Sequence, residues 1–256
     1  MPLPVLLQQR QRAALTALLV ASLGCAGMVA GRALYTGRLS FRFFCWNLFL
    51  AWIPLVFSWA LARRHAAGRE GGRAASWVLG AAWLVFFPNA PYLVTDLVHL
   101  RARSPIPFWF DALLMSAFAI TGLLLGFLSL RQVHALVARA RGCRAGWLFV
   151  AGVSGLTGLG IYVGRFHRWN SWDLVTRPGE LLAEVAGWAL DPFEHAGSLS
   201  VAASFGAVFG AAYLLLSALT RGAQSALASP TLASVGQKSS PGRGRQVSTT
   251  SWPSRR

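Results

Sequence analysis

Acidic side chains are scarce in this chain, with 8 Asp and Glu in 256 residues against 24 Lys and Arg. Charged residues of both signs make up only 12%, where a soluble domain carries about 25%. Together with a hydrophobic fraction of 55% and a positive mean hydropathy, that scarcity excludes an ordinary soluble fold. Cysteine is sparse as well. Cys25, Cys45 and Cys143 stand apart, with no CxxC or Cys/His spacing, so neither a zinc site nor a disulfide framework can be argued. Alternating strands of about 10 residues, which a membrane β-barrel would need, are absent too.

What the chain does have is six apolar stretches: Ala13–Ala30, Phe43–Ala62, Trp77–Thr95, Ala112–Leu130, Ala145–Gly164 and Leu199–Leu219. Each is long enough, at roughly 18 residues or more, to cross about 30 Å of hydrocarbon. Lipid offers backbone groups no hydrogen-bond partners, so spans of this length must be helices. The expected fold is an all-α polytopic membrane bundle of about six transmembrane helices over residues 1–221. A Ser-, Gly-, Pro- and Arg-rich segment, 222–256, is expected to be a disordered basic tail.

The net charge of +16 is scattered among short loops and the tail, and no nucleic-acid fold signature accompanies it. Its partners are membrane lipids, not nucleic acid. The Arg and Lys residues divide 16 to 8 between the two sets of alternating loops and termini, while seven of the eight carboxylates fall on the poorer side. The positive-inside rule then predicts that both termini are cytoplasmic. Without the tail the division narrows to 10 against 8. The first span, preceded by Arg10 and Arg12, is expected to be a retained anchor, because its apolar run exceeds the ~7–15 residues of a signal-peptide core.

Polar residues gather on the carboxylate-rich side. Asn47 opens the second span, Pro88-Asn89-Ala90-Pro91-Tyr92 interrupts the third, and Asp96 and His99 follow. Asp111 lies at the start of the fourth span, and the fifth ends in Arg165-Phe166-His167-Arg168-Trp169-Asn170-Ser171-Trp172-Asp173. Each proline removes a backbone donor and clashes with the preceding turn, so the helix must break or kink there. Freed carbonyls at membrane depth need partners, which Asn89 and Tyr92 can offer, and broken helices of this kind also bind ions or substrates in transporters.

Asp96 and His99 are three residues apart, so a helix places them on one face, about 5–6 Å apart at Cβ. A carboxylate that orients an imidazole raises its basicity, which suits general acid–base work; a plain interfacial hydrogen bond has the same spacing. A divalent metal would require Asp111 or His167 to join them, and no metal is assigned. An ionised Asp111 in a span is costly enough that it should face the bundle and pair with Arg165 or Arg168. Asp96, His99 and Asp111 are thus the candidate catalytic residues. Arg165 and Arg168 suit an anionic headgroup, and Arg168 lies within cation–π reach of Trp172. Asn47, Asn89, Tyr92, Trp169, Asn170, Trp172 and Asp173 complete the candidate substrate contacts. An interfacial aromatic belt accounts for the tryptophans alone.

A short interfacial helix is expected over Thr176–Asp191, capped by Thr176 with Pro178 in its first turn. Glycines spaced by four (Gly27/Gly31, Gly122/Gly126, Gly160/Gly164, Gly206/Gly210) permit close helix approach, within one subunit by default. His134 is read as an isolated structural residue on the opposite side.

The strings FFPNAPYLVTDLVHL (Phe86–Leu100) and GRFHRWNSWDL (Gly164–Leu174) resemble a bacterial family of multi-pass membrane proteins known as domain of unknown function 1361. The likeness runs from about Phe41 to Ser217. It implies an integral protein of the bacterial inner membrane and carries no substrate, cofactor or mechanism. At position 167 the family pattern leads one to expect an apolar residue, where this chain has His. Three functions fit these residues: an enzyme acting at the outer leaflet on a lipid-linked or anionic substrate, a small transporter or channel, and a membrane scaffold or assembly factor.

Overall fold

A computed structural model of the chain describes residues 3–68, 72–102, 105–169, 173–191 and 193–228. Its elements are all helical: α1 (Leu3–Thr36), α2 (Arg42–Ala66), α3 (Arg73–Phe86), α4 (Asn89–Tyr92), a 3₁₀ segment (Thr95–His99), α5 (Phe108–Arg141), α6 (Cys143–Phe166), α7 (Asp173–Thr176), α8 (Pro178–Leu190) and α9 (Ala196–Ala228). Among the described residues six spans are long and apolar enough to cross a membrane, and each encloses one of the six stretches named above. The third comprises α3, α4 and the 3₁₀ segment. Large apolar side chains such as Leu23, Trp77, Leu148 and Val208 lie on the outside, as a multi-pass membrane protein requires.

The central helix is α5. Its Leu114, Met115, Phe118, Leu125 and Leu130 are fully buried, and α1, α2, α4 and α6 all pack against it. Phe44 of α2 and Ala90 and Leu93 of the third span share that core with Cys25 and Val29 of α1. The contacts divide the chain after Leu214. In the second unit the described residues, 215–228, continue α9, with the Thr220 hydroxyl bonded to the Leu216 carbonyl at 2.9 Å. The helix thus runs past Gly222, where a tail was expected, because the run Ala223-Gln-Ser-Ala-Leu-Ala228 favours helix strongly. Residues 229–256 lie outside the described ones.

The prolines rewind the third span without splaying it. Up to Phe87 the amide bonds four residues back, to Trp83 (2.9 Å). Beyond Pro88 three-residue bonds appear, from Ala90 to Phe87 (3.2 Å), Val94 to Pro91 (3.1 Å) and Asp96 to Leu93 (3.3 Å), around one four-residue bond from Tyr92 to Pro88 (3.0 Å). The Phe86 carbonyl, which Ala90 would take in a regular helix, instead accepts from the Asn89 side chain at 2.8 Å. The Phe86 and Phe87 carbonyls are thus satisfied locally, as lipid demands.

Two glycine notches clasp this segment. A Cβ on Gly122 of α5 would stand 2.6 Å from the Ala90 carbonyl oxygen, and one on Gly126 3.3 Å from the Ala90 Cβ. On α6, a Cβ at Gly160 would stand 2.7 Å from Pro88 Cγ, and one at Gly164 3.3 Å from the Tyr92 ring. The Pro-containing backbone therefore fits only because two neighbouring helices lack side chains where it passes. Gly206 is used the same way, with the Ser154 carbonyl 2.7 Å from its would-be Cβ, whereas Gly27 and Gly31 meet nothing within 4 Å.

Candidate functional site

The 3₁₀ winding of Thr95–His99 aligns Asp96 and His99 more closely than an α-helix would, since three residues make one 3₁₀ turn. Arg165 reaches both. It extends from the last turn of α6, where a cation complements the negative helix end. Its Nη1 donates to Asp96 Oδ1 at 3.2 Å, and its Nη2 lies 3.1 Å from His99 Nε2. The second oxygen of Asp96 accepts from Asn47 Nδ2 of α2 at 2.9 Å. Four of the expected residues, from three spans, thus form one connected group.

The protonation pattern follows from the donors. A guanidinium can only donate, so the contact is a hydrogen bond when His99 Nε2 accepts, which is the tautomer with its proton on Nδ1. Asp96 is buried (1% exposed), while the Arg165 side chain above it keeps 17% exposure. The Phe43 ring meets His99 edge-on at 5.5 Å and fixes its plane. Among the described residues, Arg165 spends two of its five N–H donors on Asp96 and His99, leaving three. Tyr92, another expected residue, packs its ring over Gly164 and so seats the turn that carries Arg165. Asn89 stands one turn deeper and serves the backbone of the broken helix.

Asp111 is not paired as expected. Its carboxylate is held by Arg32 of α1, with Nε 2.8 Å from Oδ1 and Nη2 3.1 Å from Oδ2. Both side chains are buried, and the guanidinium lies 4.0 Å over the Phe41 ring. The reason is geometric. Helix α1 does not stop at Ala30 but continues to Thr36 beside α5, bringing Arg32 level with Asp111, while Arg165 is engaged by Asp96. The signal in the sequence was Arg32 itself, two residues past the apolar run Ala13–Ala30 in the same helix. Among the described residues no group of three or more His, Cys, Asp or Glu side chains is placed to hold a metal ion.

Over residues 46–209 the sequence matches the family described as "Protein of unknown function (DUF1361)". The chain belongs to the DUF1361 family. No curated protein and no solved structure matches it. The region shared with the DUF1361 family holds Asn47, Asp96, His99, Asp111 and Arg165 but not α1, so Arg32 reaches Asp111 from outside it.

The end of α6 turns sharply within the same DUF1361 region. Arg168 adopts a left-handed backbone (φ 59°), and both the His167 and Trp169 amides return to the Val163 carbonyl. A residue with a Cβ is uncommon there, and the strain marks the turn as constrained. Arg168 itself is exposed. Its expected partner Trp172 lies outside the described residues, as does Asn170. Trp169 instead lies 4.8 Å beneath the guanidinium of Arg177. That arginine also binds the buried Asp173 at 3.4 Å and Glu180 at 3.6 Å.

Two smaller expectations are corrected. The interfacial helix α8 begins at Pro178, so Arg177 occupies the cap position and makes no side-chain cap bond, while the Thr176 hydroxyl turns back to Asp173 at 3.5 Å. Proline at the first helical position sets that boundary. His134 is not isolated: its Nδ1 is 3.0 Å from the Tyr213 hydroxyl, and the Trp147 ring lies 4.7 Å away. Both partners come from other spans, which spacing along one helix does not reveal.

Proposed function

We propose that this protein is a membrane-embedded enzyme that binds an anionic, lipid-linked substrate through Arg165 and uses His99 as its acid–base group. The carrying observation is the bridge from Arg165 to Asp96 and His99, with a buried carboxylate beneath and a partly exposed guanidinium above. Asp96 and Asn47 hold the cation in place, and its remaining donors suit the several oxygens of a phosphate or carboxylate headgroup. Trp46, Val98 and Phe166, each next in sequence to a residue of the group, are large, apolar and exposed. A ligand with an apolar portion suits helix surfaces of that kind. The Arg and Lys distribution supports an extracytoplasmic site in a bacterial inner membrane, with both termini cytoplasmic.

A transport role would need the Pro-broken segment to line a water-filled route. Ala90, Pro91 and Leu93 are buried instead against α5, and Pro88 sits in the Gly160 notch, which favours the enzyme. The test is the lipid and envelope profile of cells lacking the gene, complemented with wild type or with His99→Ala. An accumulating anionic lipid species, cleared by wild type but not by a normally inserted His99→Ala protein, is the expected result. Equal clearance by both proteins overturns the reading.

A further inference from the structure

The acid–base group and the anion-binding group of this site are bonded to each other. His99 Nε2, the nitrogen whose lone pair would accept a proton, receives Arg165 Nη2 at 3.1 Å. That lone pair is the only acceptor on a neutral imidazole, so a ring capped in this way has no free base. Arg165 also keeps donors unspent among the described residues, and its side chain is 17% exposed, enough to reach a ligand. Its Nη1 stays anchored on a carboxylate that Asn47 fixes from the other side. A swing about that anchor would release Nη2 while keeping the ion pair.

We infer that Arg165 is a ligand-displaced cap on His99, holding the Nε2 lone pair until the phosphomonoester headgroup of a lipid draws the guanidinium away. This rests on the anion-binding reading above and adds the order of events: binding first, base second. The energetics permit it. A single bond from a charged donor to a neutral ring is replaced by a bidentate pair to phosphate oxygens, in which donor and acceptor are both ionised. A phosphomonoester has enough oxygens to take the three unspent donors of Arg165 as well as the one released. An empty site keeps its base closed and does not take protons from water or bystander lipids.

The experiment follows the reactivity of the His99 ring with diethyl pyrocarbonate, which attacks an imidazole lone pair, by peptide mass spectrometry. The full chain is held in phosphatidylcholine nanodiscs, with the exposed His65 as internal reference. Three conditions are compared: no addition, dioleoyl phosphatidic acid in the disc, and inorganic phosphate in solution. Lipid retention is read separately by native mass spectrometry. Phosphatidic acid should raise the His99 rate about tenfold, the low end of what a hydrogen bond to a charged group is worth. Arg165→Gln should react fast without lipid and ignore its addition. If that variant does not fold, the wild-type conditions decide alone.

Retention of phosphatidic acid with an unchanged or lower His99 rate overturns the cap and leaves the anion-binding reading standing. Failure to retain phosphatidic acid over phosphatidylcholine overturns that reading and the cap with it. A rise produced equally by inorganic phosphate overturns the lipid as the ligand and assigns the displacement to free phosphate.

Discussion

Arg32 grips Asp111 by both carboxylate oxygens, 79 residues away along the chain, with only 5% and 1% of the two side chains exposed. Removing either partner leaves a lone charge among apolar side chains. Arg32→Met or Asp111→Leu alone should therefore lower stability by about 3–5 kcal/mol, whereas the double substitution should recover most of the loss. Thermal unfolding of the detergent-solubilised variants as a double-mutant cycle measures this. Additive losses would mean that the pair is not coupled.

The glycine notches make a sharper demand than helix propensity does. Gly160→Ala would drive a methyl to 2.7–2.8 Å from the rigid Pro88 ring, and Gly122→Ala to 2.6 Å from the Ala90 carbonyl oxygen. Each should cost about 1–3 kcal/mol, as overpacking does. Gly27→Ala and Gly31→Ala, with nothing within 4 Å, should cost nothing measurable. Melting temperatures of the four variants side by side decide it. Equal behaviour would mean that the third span is free to move aside.

Orientation has a native reporter. Cys143 is exposed at the first residue of α6, the end opposite Arg165, while Cys25 is buried. A membrane-impermeant maleimide should label Cys143 only after the cells are opened. Labelling of Cys143 itself in intact cells, read by peptide mass apart from the half-buried Cys45, would put the Asp96–His99–Arg165 group on the cytoplasmic side.

The spans were legible because lipid leaves a chain one way to satisfy its backbone, so length and hydropathy alone located all six. The Pro88/Pro91 interruption was legible for the same local reason. Asn47, Asp96, His99 and Arg165 could be assigned to one level because antiparallel spans bring alternate helix ends together, and the contacts join all four. Partner choice within that level was not legible. Arg165 and Arg32 are both arginines at span ends, and which one meets Asp111 depends on α1 lying beside α5, a fact of tertiary packing. The Tyr213 partner of His134 was hidden likewise, since a hydroxyl on a distant helix leaves no mark in local spacing.

The Arg32–Asp111 grip also bears on how relatives of this chain can vary. The acid is contributed by the common domain, whereas its counter-ion arrives on a helix that precedes it. A relative lacking that leading helix has to give up the carboxylate or recruit a substitute cation from another element. Positions 32 and 111 should accordingly change as a couple, and a chimera that exchanges the first helix between relatives will insert well only when the two ends of the couple travel together.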